Sequence, residues 1–314
     1  MASPYIITPL VIQIIFLMTG STGNIFILTV HFLDWMKTRK LSTVDLIVNC
    51  IVIINLFLQG TIAFNQICAL LFLEIYIQVQ VVNSLLVILT SLALSSLWCS
   101  TCLCFYYFVK IVSFKWAWFH KIKAKLPVMV PWLLVFSCTI SWAFGLAAYW
   151  DINIDNPLLT ANATRNASYV HLHYKSRCDC IFQIYMLVAS IPFSIIFITA
   201  GAIIFSLCNH MQKIKKNNEG SKNSKLSSHL KATKTVTSLL IAYFIFYGMI
   251  NILYSESKDG QALTFIFCVL MASAFPTENA IILINGNRKL LMMVKHILCI
   301  KQTSINAEVT VTTY

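Results

Sequence analysis

The chain has 314 residues, of which 58% are hydrophobic and 11% charged, and its mean hydropathy is +0.77. Soluble domains are about 45–50% apolar and about 25% charged, so so little polar surface excludes a water-soluble globule and makes lipid the solvent for much of the exterior. The formal net charge of +12 would point to nucleic acid in a soluble protein. Here it points to basic loops facing anionic lipid and protein, and no nucleic-acid partner is expected.

A helix needs about 20 apolar residues to cross roughly 30 Å of hydrocarbon. The first such segment, Ile6–Leu33, follows no basic region and no small-residue cleavage site. It is expected to be a mature helix that acts as its own signal anchor. Next, Ser42, Thr43, Val44 and Asp45 fit a capping box that opens a second segment, Thr43–Phe72. In such a box the hydroxyl accepts a backbone N–H and the carboxylate reaches back. A third segment, Val79–Val109, is set off only by the polar stretch Glu74–Gln80, the softest of the breaks. Thr43 to Val109 is far too long for one crossing at about 1.5 Å per residue, so two are required.

The fourth segment is Leu126–Trp150, with Pro131 near its start, and the fifth is Ile181–Asn209, with Pro192 inside it. The sixth is Ala232–Tyr254 and the seventh Ala262–Ile284, with Pro276 late in its course. Each of these prolines frees a backbone carbonyl and invites a kink. Between the fifth and sixth, Asn217–Ser228 is polar and Lys-rich and is expected to be a mobile loop. The fold class is therefore all-α, a seven-transmembrane-helix bundle. Residues 1–300 form the membrane domain and 301–314 a short cytoplasmic tail.

Charge sets the orientation. All Lys and Arg but Arg165, Lys175, Arg177 and Lys258 fall in the first, third and fifth connections or after the seventh segment. The bias places those loops in the cytosol and the amino terminus outside. The sequons Asn162-Ala-Thr and Asn166-Ala-Ser lie together in the fourth-to-fifth loop, on the opposite side, where glycosylation occurs. A multi-pass protein of the plasma membrane with an extracellular amino terminus is expected.

Several chemistries have no residues to carry them. Transporters and pumps mark their path with charges inside the spans, and Glu278 is the only acid well inside one. No Gly-rich phosphate loop, His-rich metal set or Ser/His/Asp arrangement is present, so neither an enzyme, a cofactor nor a metal is expected. His171 and His173 lie beside Cys178 and Cys180. These read as loop residues or a local disulfide rather than a metal site. Whether Cys178 and Cys180 pair with each other, with Cys68 or not at all is open. Cys50, Cys99, Cys102, Cys104, Cys138, Cys208 and Cys268 sit in apolar runs and read as small hydrophobes. Asn24, Asn49 and Asn55 place amides in hydrocarbon, where each needs a partner: one another, their own helix backbone, or water.

Seven helices with the amino terminus outside and a Lys-rich fifth-to-sixth connection are what a G-protein-coupled receptor has, although rhodopsin-like pumps share the count. Those pumps need a retinal lysine, and the seventh segment has none before Lys289. Particular strings go further: Gly23-Asn24-Ile25-Phe26-Ile27, Lys40-Leu41-Ser42, Trp98-Cys99-Ser100-Thr101-Cys102-Leu103 and Tyr106-Tyr107-Phe108-Val109-Lys110-Ile111. To these add His229-Leu230-Lys231-Ala232-Thr233-Lys234 and Ile282-Leu283-Ile284-Asn285-Gly286-Asn287-Arg288-Lys289-Leu290. Together they resemble the type 2 taste receptors, the bitter receptors, from about Gly20 to Leu291. Phe275-Pro276-Thr277 is similar to the seventh helix of vomeronasal type 1 receptors, which makes a pheromone receptor the runner-up; a seven-helix transporter or channel is the alternative from another class.

The resemblance implies a small-molecule agonist, and a gustducin-like heterotrimeric G protein as partner. It also exposes departures. Asn55 stands where the family usually has Arg, Asn279-Ala280 where it has His-Ser, and Leu89 and Ala93 where it has Trp and Asn near the ligand. Apolar agonists with few hydrogen bonds are expected. Bundle geometry puts the ligand among Leu85, Leu86 and Leu89 of the third helix and Tyr185, Met186 and Ala189 of the fifth, and the resemblance adds Ala93. Tyr247, Asn251 and Tyr254 of the sixth and Phe265 and Val269 of the seventh complete the set. Asn251 and the tyrosines are the expected polar handles. For G-protein coupling the resemblance points to Tyr107 and Lys110, three apart on one face, and to His229, Lys231 and Lys234.

Overall fold

The computed structural model describes residues 4–76, 78–112, 117–149, 152–154, 174–176, 179–216, 223–259 and 262–297. Within them, seven helices are long and apolar enough to cross a bilayer, as the hydropathy pattern predicts. They run Pro4–Thr38, Thr43–Leu71, Val79–Ile111, Ala117–Tyr149, Asp179–Lys216, Asn223–Asp259 and Ala262–Gly286, and are called the first to seventh spans. Three of them outrun their apolar segments. The fourth starts at Ala117 rather than Leu126, the fifth ends at Lys216 rather than Asn209, and the sixth opens at Asn223 rather than Ala232. Hydropathy marks only the membrane slab, whereas helical hydrogen bonding continues into water through Lys, Gln and Ser at little cost. Residues 223–228, expected in a mobile loop, are thus the first turns of the sixth span. Residues 217–222 lie outside the described residues.

Local signals account for the breaks. The first span ends at Arg39, whose backbone is left-handed (φ 52°) and whose N–H closes on the Trp35 carbonyl at 2.7 Å. Ser42 then caps the second span: its hydroxyl accepts from the Asp45 N–H at 3.1 Å and donates to the Asp45 carboxylate at 2.6 Å. The carboxylate therefore reaches back to the capping hydroxyl rather than to a backbone N–H. The soft break between the second and third spans is a real reversal. A four-residue helix, Leu73–Tyr76, fills it, and Tyr76 packs on Cys68, Val82 and Leu85. That burial pushes the Tyr76 hydroxyl above its ordinary pKa, against a hydrogen bond with Asn65 that works the other way. Cys68 is a free thiol in this cluster, and the side chains of Cys178 and Cys180 lie outside the described residues.

Two features lie beyond the seven expected spans. Ile152–Ile154 pairs antiparallel with Tyr174–Ser176, giving the backbone at the base of the fourth-to-fifth loop its hydrogen-bond partners. After the seventh span, residues 288–297 form one more helix. The Asn287 side chain opens it by accepting from the Lys289 N–H at 3.0 Å.

The third span is the axle of the bundle. In its apolar window 61% of the residues are buried, against 22% for the first span and 28% for the fourth and sixth. Its sequence explains this: Ser91, Ser95, Ser96, Ser100 and Thr101 are small enough to let neighbours approach, and all are buried. Ser95 and Thr101 satisfy their hydroxyls on carbonyls one turn back, at 2.7 and 2.9 Å. Opposite them, Gly145 of the fourth span lies so close that a Cβ there would sit 1.8 Å from the Ser91 hydroxyl. Large apolar side chains cover the outside, among them Phe57, Trp132, Phe197, Phe205 and Phe244. Only a hydrocarbon solvent accommodates that exterior.

Candidate ligand cavity and coupling face

The chain's first end and its basic loops lie at opposite ends of the bundle, here called the amino-terminal and basic ends. In the amino-terminal half, the third, fifth and sixth spans converge on a cavity that includes five of the expected ligand residues: Ala93, Tyr185, Met186, Ala189 and Tyr247. The same helix faces add Leu94 and Leu97, Phe193, and Tyr243, Phe246 and Ile250. A helical stripe places the additional sixth-span residues, since 243, 246, 247 and 250 share one face. Sequence reasoning had that period available; what it lacked was which face of the sixth span turns inward.

Space in this cavity is small. The free space is about 10 Å³, at most room for a single water. Aromatic rings fill the rest. Phe193 stacks on Tyr247 across the fifth and sixth spans at 5.9 Å and 11°. Deeper down, Phe275 of the seventh span stacks on Phe246 at 4.3 Å and leans on Tyr243 at 5.2 Å.

The other expected ligand residues lie elsewhere. Leu85 packs under the second-to-third turn, and Leu89 belongs to the main core. Leu86 and Val269 are half-buried and do not line the cavity. Asn251, chosen as a polar handle, donates to its own helix at the Tyr247 carbonyl, 2.8 Å away. Tyr254 and Phe265 have helical backbone, but their side chains lie outside the described residues.

Beneath the rings lies a buried polar layer. Ser96 donates to Asn55 at 2.8 Å and accepts from Asn279 at 3.5 Å, tying the second, third and seventh spans together. Asn55 and Asn279, two of the departures singled out in the sequence, are thus bridged by one hydroxyl. The Tyr243 hydroxyl faces Ser100 and Asn279, yet closes no hydrogen bond of ordinary geometry. Of the partners open to Asn24, Asn49 and Asn55, pairing with one another does not occur. Asn24 reaches Gln59 at 3.5 Å, Asn49 meets His31 at 2.6 Å, and Asn55 meets Ser96. Partners came from other residue types because a neighbouring helix offers whatever group faces the amide, and sequence does not reveal which.

At the basic end, Lys110 does not pair with Tyr107. Its ammonium group donates to the Tyr106 hydroxyl at 3.0 Å and lies 5.3 Å from that ring's centre, one helical turn back. Tyr106 is itself buried in the core, and Tyr107 packs half-buried against it. Lys123 caps the Lys110 carbonyl at 3.2 Å, and Lys289 of the helix after the seventh span pairs with Asp34 of the first. Lys234 is exposed, whereas the side chains of His229 and Lys231 lie outside the described residues, as do Asn162 and Asn166 altogether. Gly286 lets the seventh span close on the sixth, since a Cβ there would lie 2.1 Å from the Thr235 hydroxyl.

A family model described as taste receptor protein (TAS2R) matches residues 1–302. Among similar proteins, taste receptor type 2 member 109 of Rattus norvegicus is 27% identical over 298 residues, which cover 89% of this chain and 88% of the relative. Member 117 of Mus musculus is 28% identical over 295 residues (89% and 84%), and member 8 of Homo sapiens 28% over 274 (86% and 88%). Match and architecture agree from end to end and decide against the vomeronasal reading. The chain belongs to the type 2 taste receptor family of multi-pass, G-protein-coupled receptors of bitter taste.

Proposed function

We propose that this chain is a plasma-membrane receptor, with its amino terminus extracellular, for small apolar bitter compounds that bind among the third, fifth and sixth spans. One observation carries the reading: a cavity whose walls are almost wholly hydrocarbon and aromatic, with Tyr185 and Tyr247 as its polar rims. A ligand there gains mainly from apolar burial, about 25 cal/mol per Å², and asks for few hydrogen bonds.

Because the cavity is nearly full, an agonist has to part the Phe193–Tyr247 stack and displace the sixth span from the fifth. That displacement reaches the Phe246–Phe275 stack and the Tyr243, Ser100 and Asn279 groups below it. Agonist binding favours the arrangement in which these contacts have shifted, and the population moves accordingly. At the basic end the shift exposes a surface for a gustducin-like heterotrimeric G protein. Tyr107 and Lys110 on the third span and His229, Lys231 and Lys234 on the sixth contribute to it. The glycosylated loop at Asn162 and Asn166 faces the opposite compartment.

The test is a calcium-mobilisation screen of diverse bitter compounds in cells that express the receptor and a matching G protein. Apolar compounds should respond, and the response should require the G protein. Silence across the library with confirmed surface expression would overturn the reading.

A further inference from the structure

A second cavity lies between the first, second and seventh spans, away from the aromatic one. It gives a water-sized sphere about 250 Å³ and is lined by Gln13, Ile14 and Leu17, by Gln59, Ala63 and Ile67, and by Ser273 among others. Its walls have two characters. Ile14 and Ile67 are about half exposed at membrane depth, so that side opens onto lipid. On the inner side Gln13 is 8% exposed, and its side-chain carbonyl has no hydrogen-bond partner.

Gln66 is a second amide on this wall, while the slot's other two polar residues are already engaged. Gln59 donates to the Phe16 carbonyl at 3.4 Å and the Thr277 hydroxyl at 3.1 Å, and accepts from Ser21 at 3.3 Å and Asn24 at 3.5 Å. Ser273 donates to the Leu270 carbonyl at 2.7 Å. A buried amide oxygen without a donor, inside an apolar slot open to the bilayer, asks for one hydroxyl on a hydrocarbon body. A hydroxyl both donates and accepts, so it satisfies Gln13 whichever way the amide is turned. Water can meet the amides of Gln13 and Gln66 but leaves the hydrocarbon of Ile14, Leu17, Ala63 and Ile67 wetted, which an alcohol's chain covers. We propose that this slot is a binding site for the hydroxyl-bearing end of a lipid-like alcohol that enters from the bilayer. An occupant rests against Gln59, which ties the first, second and seventh spans, and so holds those spans in their present arrangement.

The experiment uses the full-length receptor in lipid nanodiscs and two photoactivatable probes of equal length, a long-chain primary alcohol and the corresponding alkane. Labelled residues are mapped by mass spectrometry. The alcohol should label around Ile14, Ala63 and Ile67, be competed by unlabelled alcohol, and exceed the alkane several-fold at those sites. In Gln13→Leu the alcohol's advantage should fall by about fivefold, the scale of one hydrogen bond. The alcohol-to-alkane ratio is measured within each receptor, so wild type alone tests the idea if that variant folds poorly. Equal labelling by both probes in wild type, an unchanged preference in the variant, or labelling confined to the third, fifth and sixth spans overturns the proposal. Labelling needs no agonist or G protein, so this result and the bitter-compound screen fail separately.

Discussion

The two cavities of the amino-terminal half are built in opposite ways. Between the third, fifth and sixth spans, stacked rings leave about 10 Å³ for a water-sized sphere, and polar groups withdraw to the layer below. Between the first, second and seventh spans, about 250 Å³ stays open and amides reach into it. Rings close a space by flat contact yet slide apart at modest cost, since a ring pair contributes only about 0.5–1.5 kcal/mol beyond its area. Hydrogen-bonded amides fix neighbouring helices at set points and leave the volume between those points unfilled. The first cavity is thus suited to opening on demand, and the second to holding its shape.

The largest effect should come from breaking the amide frame. Gln59→Leu leaves Asn24 and Ser21 without the acceptor they share and takes one of its two partners from Thr277, and should destabilise the receptor by about 2–3 kcal/mol. A thermal melt of purified protein reads this, and an unchanged melt would mean that the frame fixes nothing. Next, Ala93→Phe adds a ring to the full cavity and should weaken agonist potency by about tenfold or more, roughly 1.4 kcal/mol, at normal surface expression. Unaltered dose–response curves would move the ligand elsewhere.

Phe193→Ala sharpens the contrast from the other side. It removes the stack on Tyr247 and should raise agonist-independent signalling about threefold, from a ring pair of roughly 0.5–1.5 kcal/mol. A basal signal at the wild-type level would detach that stack from activation. Smallest is Lys110→Ala, which leaves both cavities intact and removes the contact with Tyr106, worth about 0.5–1 kcal/mol. Maximal G-protein response should fall about twofold with agonist potency unchanged; a shift in potency instead would tie this lysine to the ligand end.

The amide frame shows where reading the sequence stopped. Asn24 and Asn55 were recognisable as groups in need of partners, but Gln59 and Ser96 as those partners were not, because helix rotation decides which side chains meet. Likewise the face carrying Ala93, Met186 and Ala189 was legible, whereas Asn251 turned out to be satisfied on its own backbone. Lys110 adds a contact that its shared face with Tyr107 left open. Spacings of three and four residues both place side chains on one face, and the lysine meets Tyr106, itself a buried core residue, one turn back.

The sequence by itself determined the number of crossings, where they begin and end in the hydrocarbon, and the family, because these rest on solvent preference and local strings that each segment carries alone. Helix rotation, the partners of buried amides, and the division between a ring-filled cavity and an amide-framed one were decided only by the tertiary structure. Such features depend on pairs of residues far apart in the chain, and no single segment encodes its neighbour's facing side.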